Sequence, residues 1–337
     1  MMLSNMSKPA RLSFGVMAAA LVLIAWLHLG VLALTVLFGY FVLASLRFSS
    51  RRHPGFSKHF AVALYGIIIV VMTYLLVYFT RQAIIALPKI VETTVPAVVS
   101  YAEQHNIDLP FADYAGAKAV TLTTAKESLT DIGRHIRTAV FEFAQLLVGL
   151  VVAASLFLNA RWGTESEPDT SPDSLYATVV RELAGRFQLF YASFSRVTGA
   201  QIIISVINTA LTGGFLLWNH YPYKLVLVGL AFLCGLLPII GNLISNTLIV
   251  GVGFTLSPRM ALAALIFLII VHKLEYFLNS KIIGDRIKSP MWLMLIGLVL
   301  GEKLMGIPGL ILAPVVLHYV KVEASRRKFS DPVKTDG

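Results

Sequence analysis

The chain has 337 residues, of which 57% are hydrophobic and 14% are charged. Ordinary soluble domains carry about 25% charged residues, so this composition excludes a soluble protein and indicates one that resides in a lipid bilayer. The formal net charge of +10 would fit a nucleic-acid partner, but the basic residues lie in polar segments between long uncharged stretches. Such a distribution orients membrane helices, and we therefore expect the bilayer, and no nucleic acid, as a partner.

The N-terminal region contains three apolar stretches that are typical of membrane helices. The first two, 12–27 and 31–46, flank a short turn, and the third covers 60–80. The loop at 47–58 has four basic residues and no acidic one. By the positive-inside rule this loop and the N-terminus are cytoplasmic, and the third span leads to the outside.

The next segment, 81–140, has six basic and six acidic residues, a balance that suits the external side. The helical spacing of its apolar residues predicts extensions of the third and fourth spans, interrupted at Pro88 and Pro96. The fourth span, 143–159, is expected to return to the cytoplasm.

A polar loop then leads into two further elements. The basic and aromatic pattern at 175–194 predicts an amphipathic helix that lies on the cytoplasmic surface. A separate fifth span is expected at 197–218, and the aromatic residues at its end, Trp218 and Tyr221, fit an interfacial belt.

The C-terminal region contains two apolar stretches, 225–258 and 291–320, which are broken by glycine and proline and separated by a sixth span at 261–283. If each broken stretch crossed the membrane once, the basic loop at 281–288 would face the outside, against the positive-inside rule. We therefore predict that each forms a re-entrant hairpin, the first entering from the outside and the second from the cytoplasm.

The two broken stretches also resemble each other. An offset of 68 residues places 228–245 over 296–313 with five identities, among them Gly241 over Gly309. Paired halves of opposite orientation are the design of many secondary transporters. Non-helical backbone at membrane depth is tolerated only inside protein or at a cavity, so two breaks predict a cavity.

Together these features predict an all-α polytopic membrane protein with about six full transmembrane helices, two re-entrant hairpins and a candidate inverted repeat in the C-terminal half. We expect a multi-pass protein of the bacterial inner membrane with both termini in the cytoplasm. The expected regions are spans one to three at 1–80, an extracytoplasmic helical segment at 81–142, span four with the amphipathic helix at 143–196, a transport unit at 197–320 and a cytoplasmic basic tail at 321–337.

The sharpest functional candidate is Glu275, because an ionised residue inside a span costs at least ~2.5 kcal/mol on insertion scales. His272 and Asn279 share its helical face, three residues before it and four after it. That face can bind a proton, a cation or a polar solute. The alternative is a buried ion pair or hydrogen-bond network that only holds this span against a neighbouring helix.

The other candidates are polar residues on span five and residues at the two breaks. Gln201 and Asn208, on one face of span five, either contribute to the same cavity or only hold helices together. The predicted substrate or ion pathway is Glu275, His272, Asn279, Gln201, Asn242 and Asn246. The predicted hairpin breaks are Pro238, Gly241, Gly306, Pro308 and Gly309. Glu302 and Lys303 form either a gate at the second break or a solubilising interfacial loop.

The sequence has no metalloprotease, nucleophile-elbow, Walker or dinucleotide-binding motif, so we expect neither an enzyme nor a cofactor. Its one cysteine, Cys234, excludes an intrachain disulfide and a Cys-based metal site. Coupling to protons or Na⁺ is the remaining expectation for a bound ion.

Four motifs of the C-terminal half are apolar and based on glycine and proline. They are FSRVTGAQ at 194–201, LPIIG at 237–241, LE at 274–275 with KIIG at 281–284 and Pro290, and GIPG at 306–309 with Pro314. These motifs resemble the autoinducer-2 exporter family of bacterial membrane proteins over about 174–320, while 1–160 match in layout only. The chain departs from the family at Ser280, where a proline is usual.

The resemblance implies export or exchange of a small solute, and members of the family are also associated with sodium/proton antiport. We therefore expect a secondary transporter that exports a small polar organic solute of the autoinducer-2 signalling type. The alternatives are a monovalent cation (Na⁺ or Li⁺)/proton antiporter and a non-transporting membrane scaffold. A small-molecule or ion substrate and a homo-oligomer are the expected partners.

Overall fold

The computed structural model describes residues 7–48, 54–106, 132–159, 174–237, 240–283 and 290–325, and helix is the only regular secondary structure within them. In chain order the helices are α1 (Lys8–Trp26), α2 (Gly30–Phe48), α3 (Pro54–Gln104), α4 (Ile132–Asn159), α5 (Leu175–Trp218), α6 (Lys224–Gly235), α7 (Ile240–Leu256), α8 (Pro258–Ile283), α9 (Met291–Met305) and α10 (Ile307–Ser325).

Five of the described helices are long and apolar enough to cross a membrane, in α1, α3, α4, α5 and α10. Shorter apolar helices lie in α2, α6 and α7. Only 11% of the most apolar window of α3 is buried within the protein. Because apolar surface of this extent needs a hydrocarbon solvent, the predicted class, an all-α polytopic membrane protein, is confirmed. The number of full crossings stays a prediction, and α10, which the sequence assigned to a hairpin, is one of the five long apolar helices.

The predicted border between an amphipathic surface helix and span five is wrong. Residues 175–194 and 197–218 belong to one continuous helix, α5, of 44 residues. No proline lies between them, and a helix that is already nucleated gains one backbone hydrogen bond for each added residue. The switch from a mixed to an apolar composition therefore changes the surroundings of α5 without ending it.

The predicted interruptions at Pro88 and Pro96 are also wrong, since both prolines lie inside the 51-residue helix α3. An interior proline costs about 3 kcal/mol through its lost hydrogen bond and its steric clash. In α3 the flanking turns pack against other helices, and Ile90 is 1% exposed in that contact. Packing therefore outweighs the local preference, and the predicted helical extension of span three reaches Gln104.

The chain divides into two compact units. The first comprises 1–41, 149–199 and 283–337, and the second comprises 42–148 and 200–282. In the first unit, Phe194 of α5 is fully buried and meets the ring of Phe38 edge-on, with 5.2 Å between centroids. In the second unit, five helices each contribute a residue to one buried cluster: Ile90 (α3), Leu216 (α5), Leu227 (α6), Ile249 (α7) and Leu268 (α8).

A buried arginine joins three helices of the first unit. Arg186 of α5 is 4% exposed, donates from Nε to Ser13 Oγ of α1 at 3.0 Å, and forms an ion pair with Glu323 of α10. The guanidinium also donates to the carbonyl oxygen of Ala10 at 3.4 Å. The start of α1, the first half of α5 and the end of α10 are thus held together, as expected if all three lie on one side of the membrane.

Candidate functional site

The first broken stretch forms a helical hairpin of α6 and α7 in the second unit. α6 ends at Gly235, and α7 begins at Ile240. The predicted break residue Pro238 lies outside the described residues. At Gly241 the two backbones approach so closely that an added Cβ would overlap the carbonyl oxygen of Cys234. A glycine at this position is therefore required for the hairpin to close.

Glu275 of α8 lies beside the tip of this hairpin. It is 17 residues from Pro258, the first residue of α8, or ~25 Å along the helix at about 1.5 Å per residue. Its side chain is 12% exposed, and its Oε2 accepts a hydrogen bond of 2.5 Å from Nδ2 of Asn242. The amide of Asn208 on α5 interacts with the same carboxyl group. Three helices thus place polar groups around one carboxylate.

Within the described residues, the electrostatic surroundings of Glu275 are polar without a fixed positive side chain. Asn242 lies in the first turn of α7, where the helix dipole favours negative charge. His272 Nδ1 lies 3.7 Å from Oε2, but the imidazole is 67% exposed and is positive only when protonated. Among the described residues no lysine or arginine forms an ion pair with this carboxyl group. In this part of the structure its charge is therefore solvated by amides.

A small cavity of about 20 Å³ lies next to this carboxyl group. Such a volume accommodates about one water-sized particle. Its polar lining consists of Asn208, Thr212, Asn242, Ser245, Asn246, His272 and Glu275. Apolar residues of α6, α7 and α8 complete the wall. The arrangement can hold a proton, a small cation or a single water molecule.

The structure brings together most of the residues that the sequence proposed for the pathway. Glu275, His272, Asn242 and Asn246 line one cavity, and so does Asn208. Gln201 lies elsewhere, because its Nε2 donates to the carbonyl oxygen of Gly235 at 2.6 Å and satisfies the backbone at the break. Asn279 belongs to α8, but its side chain lies outside the described residues.

Two polar lining residues were missed by the sequence reasoning, Thr212 and Ser245. Thr212 follows Asn208 by four residues and Ser245 follows Asn242 by three, so each shares a helical face with a residue already proposed. Small hydroxyl residues are common in membrane helices as packing elements. Their helical spacing from the asparagines was the signal that could have selected them.

The second broken stretch forms a hairpin of α9 and α10 in the first unit. The break lies at Gly306, whose φ of 64° favours glycine. Pro308 and Gly309 lie in the first turn of α10, and a Cβ at Gly309 would overlap the carbonyl oxygen of Gly301. Gly241 and Gly309, which the sequence offset aligned, thus occupy the same kind of backbone contact in their hairpins.

The candidate gate residues Glu302 and Lys303 lie near the end of α9, before this break. Their side chains are 48% and 78% exposed, and Lys303 Nζ lies 3.7 Å from Glu302 Oε2. An exposed pair of this kind contributes little to stability. Its position next to the break is the feature that a gating role would use.

The folded chain is thus a polytopic helical membrane protein with a carboxylate-bearing cavity at the tip of a broken helical hairpin. The profile of the family described as "AI-2E family transporter" matches residues 12–324, and the chain belongs to this transporter family. The family resemblance of the C-terminal motifs is thereby confirmed, and the match includes the N-terminal half.

Two relatives come from Bacillus subtilis (strain 168). The chain is 30% identical to "Putative transport protein YdbI" over 125 residues, and this aligned region covers 36% of this chain and 36% of that protein. It is 32% identical over 124 residues to "Putative transport protein YueF", covering 36% of this chain and 33% of that protein. The chain thus spans about a third of the length of these two relatives.

Proposed function

We propose that the chain is a secondary transporter that binds a proton or a monovalent cation at Glu275. The observation that carries the proposal is a nearly buried carboxyl group that faces a water-sized cavity and is surrounded by neutral amides. Family membership supports membrane transport. Cation/proton antiport is the form of transport that this geometry favours.

The physical reason is the cost of an unneutralised charge at membrane depth. Amides from Asn208 and Asn242 solvate part of that charge, and a bound proton or cation would neutralise the rest. Because Asn242 lies at the hairpin tip, binding at Glu275 acts on the contact between α7 and α8. An ion with different affinities for two arrangements of this contact shifts the equilibrium between them.

Export of a small polar organic solute of the autoinducer-2 type is the second candidate. The name of the family and the motif resemblance support it. A cavity of about 20 Å³ is too small for a molecule of several carbon atoms, so this function needs a more open arrangement of the same helices. The cation-binding function requires no such opening, and for this reason we place it first.

The test is flux in proteoliposomes that contain the purified protein, with internal pH and Na⁺ reporters under imposed gradients. Wild type is compared with Glu275→Gln and with Glu92→Gln, which makes the same chemical change at an exposed site on α3. We expect Na⁺-linked proton movement in wild type and Glu92→Gln and none in Glu275→Gln. Equal flux in all three proteins would refute a role for Glu275.

A further inference from the structure

Asn208 has an unusual hydrogen-bonding state for a buried residue. It is 8% exposed, it lines the cavity beside Glu275, and its amide interacts with that carboxyl group. Its Oδ1 is buried and has no hydrogen-bond partner among the described residues. Buried acceptors are nearly always satisfied, and an exception in a folded protein calls for a specific explanation.

The carboxylate of Glu275 determines which way the side-chain amide of Asn208 is turned. An ionised carboxylate only accepts hydrogen bonds, so the NH₂ group of Asn208 must face Glu275. The carbonyl oxygen of Asn208 is then left with two free lone pairs. Thr212, one turn further along α5 and 4% exposed, adds a hydroxyl oxygen to the same cavity.

A proton and a metal cation differ in what they require at such a site. A proton needs one carboxyl oxygen, whereas a cation that sheds its hydration shell needs several oxygen ligands to replace it. With its NH₂ group turned toward Glu275, Asn208 leaves its carbonyl oxygen out of proton binding at the carboxylate and free as a ligand for a metal ion. The cavity volume of about 20 Å³ matches a dehydrated ion of the size of Na⁺.

We infer that Asn208 Oδ1 and the Thr212 hydroxyl are, with the Glu275 carboxylate, direct ligands of a dehydrated monovalent metal cation. Asn208 is then the residue that gives the site its affinity for a metal ion over a proton alone. The inference rests on the proposed function, because it deepens the role of the same carboxylate. A water molecule bound to Asn208 is the competing explanation.

The test is Na⁺ binding to the purified full-length protein, measured by calorimetric titration with NaCl at ionic strength held constant by choline chloride. Asn208→Leu keeps the approximate volume and removes the oxygen. We expect its Na⁺ dissociation constant to rise at least tenfold, with Glu275-dependent proton movement in the absence of Na⁺ retained in the pH-reporter assay. An unchanged Na⁺ constant in Asn208→Leu overturns the inference and favours the water molecule.

Thr212→Val provides an independent variant should Asn208→Leu fail to fold. Valine has nearly the shape of threonine, and we expect at least threefold weaker Na⁺ binding. Thr247→Val, the same change at an exposed position of α7, is the matched control and should bind Na⁺ as wild type does. If Thr212→Val and its control bind Na⁺ equally well, Thr212 is not a ligand and the three-oxygen site is refuted.

The two proposals fail in distinguishable ways. Unaltered Na⁺ affinity in Glu275→Gln removes the proposed ion site altogether. Loss of binding in Glu275→Gln together with normal binding in Asn208→Leu removes only the role of Asn208. Proton flux that depends on Glu275 in a protein that binds no Na⁺ also overturns the metal site and leaves proton transport standing.

Discussion

Asn242 and Glu275 are 33 residues apart in the sequence, and the side-chain amide of the first donates to the carboxylate of the second at 2.5 Å. This hydrogen bond joins the first turn of α7, beside the break in the α6–α7 hairpin, to the second half of α8. Hydrogen bonds to charged groups contribute about 1.5–3 kcal/mol. This hydrogen bond therefore couples the position of the broken hairpin to the protonation or ion binding of the carboxyl group.

Replacing Asn242 by leucine should uncouple the position of the hairpin from ion binding at Glu275. The free carboxylate loses ~1.5–3 kcal/mol of hydrogen-bond stabilisation, which corresponds to about tenfold to hundredfold tighter ion binding at Glu275, and Na⁺ titration of the purified variant measures this change. Asn219→Leu is the control: among the described residues, the amide of Asn219 donates to the carbonyl oxygen of Phe215 near the end of α5, far along the chain from Glu275, and this variant should bind Na⁺ normally. Similar constants in the two variants would contradict the coupling.

A methyl group at either hairpin contact should be poorly tolerated. In Gly241→Ala the new Cβ overlaps the carbonyl oxygen of Cys234, and in Gly309→Ala it overlaps that of Gly301. We expect a loss of stability at or above the upper end of ~1–3 kcal/mol for overpacking, together with loss of transport, measured by thermal unfolding in detergent and by flux.

Gly214→Ala is the control for this prediction, because nothing lies within 4 Å of an added Cβ there. It should retain transport and gain up to ~1 kcal/mol from the higher helix propensity of alanine. Equal stability of Gly214→Ala and Gly241→Ala would show that the hairpin does not close as described.

Removing one member of the buried ion pair of the first unit should destabilise the protein more than removing both members. Arg186→Met leaves Glu323, which is 15% exposed, without its guanidinium partner, and the loss of one member of a buried pair costs about 3–5 kcal/mol. The double variant Arg186→Met/Glu323→Leu removes both members of this pair and should recover most of that loss. Thermal unfolding of both variants tests the pair, and additive losses would argue against it.

Cysteine labelling tests the predicted re-entrant hairpin. In a Cys234→Ser background, Arg259→Cys places a thiol at the exposed start of α8, and Ser325→Cys places one at the exposed end of α10. A membrane-impermeant maleimide added to intact cells should label Arg259→Cys and not Ser325→Cys. If α6 and α7 instead formed one crossing, Arg259→Cys would react only after permeabilisation.

Local sequence features were sufficient for the membrane class and for both breaks. Long uncharged stretches predict apolar helices because hydropathy is a sum over neighbouring residues. Glycine and proline mark the interruption that follows Gly235 and the one at Gly306 because their effects on the backbone are local. The same local reasoning was wrong at Pro88, Pro96 and the start of span five, where packing and helix continuity overrode it.

The sequence by itself determined the class of the protein, a helical membrane protein with a carboxylate in a span and asparagines at a break. Those residues could be named without a structure. Only the tertiary structure decided which of them meet. Glu275, Asn242 and Asn208 lie on three helices, and the rotation and depth of each helix follow from packing between distant segments. That packing brought Thr212 into the cavity and placed Gln201 at the break instead, because side chains meet according to the faces that their helices present.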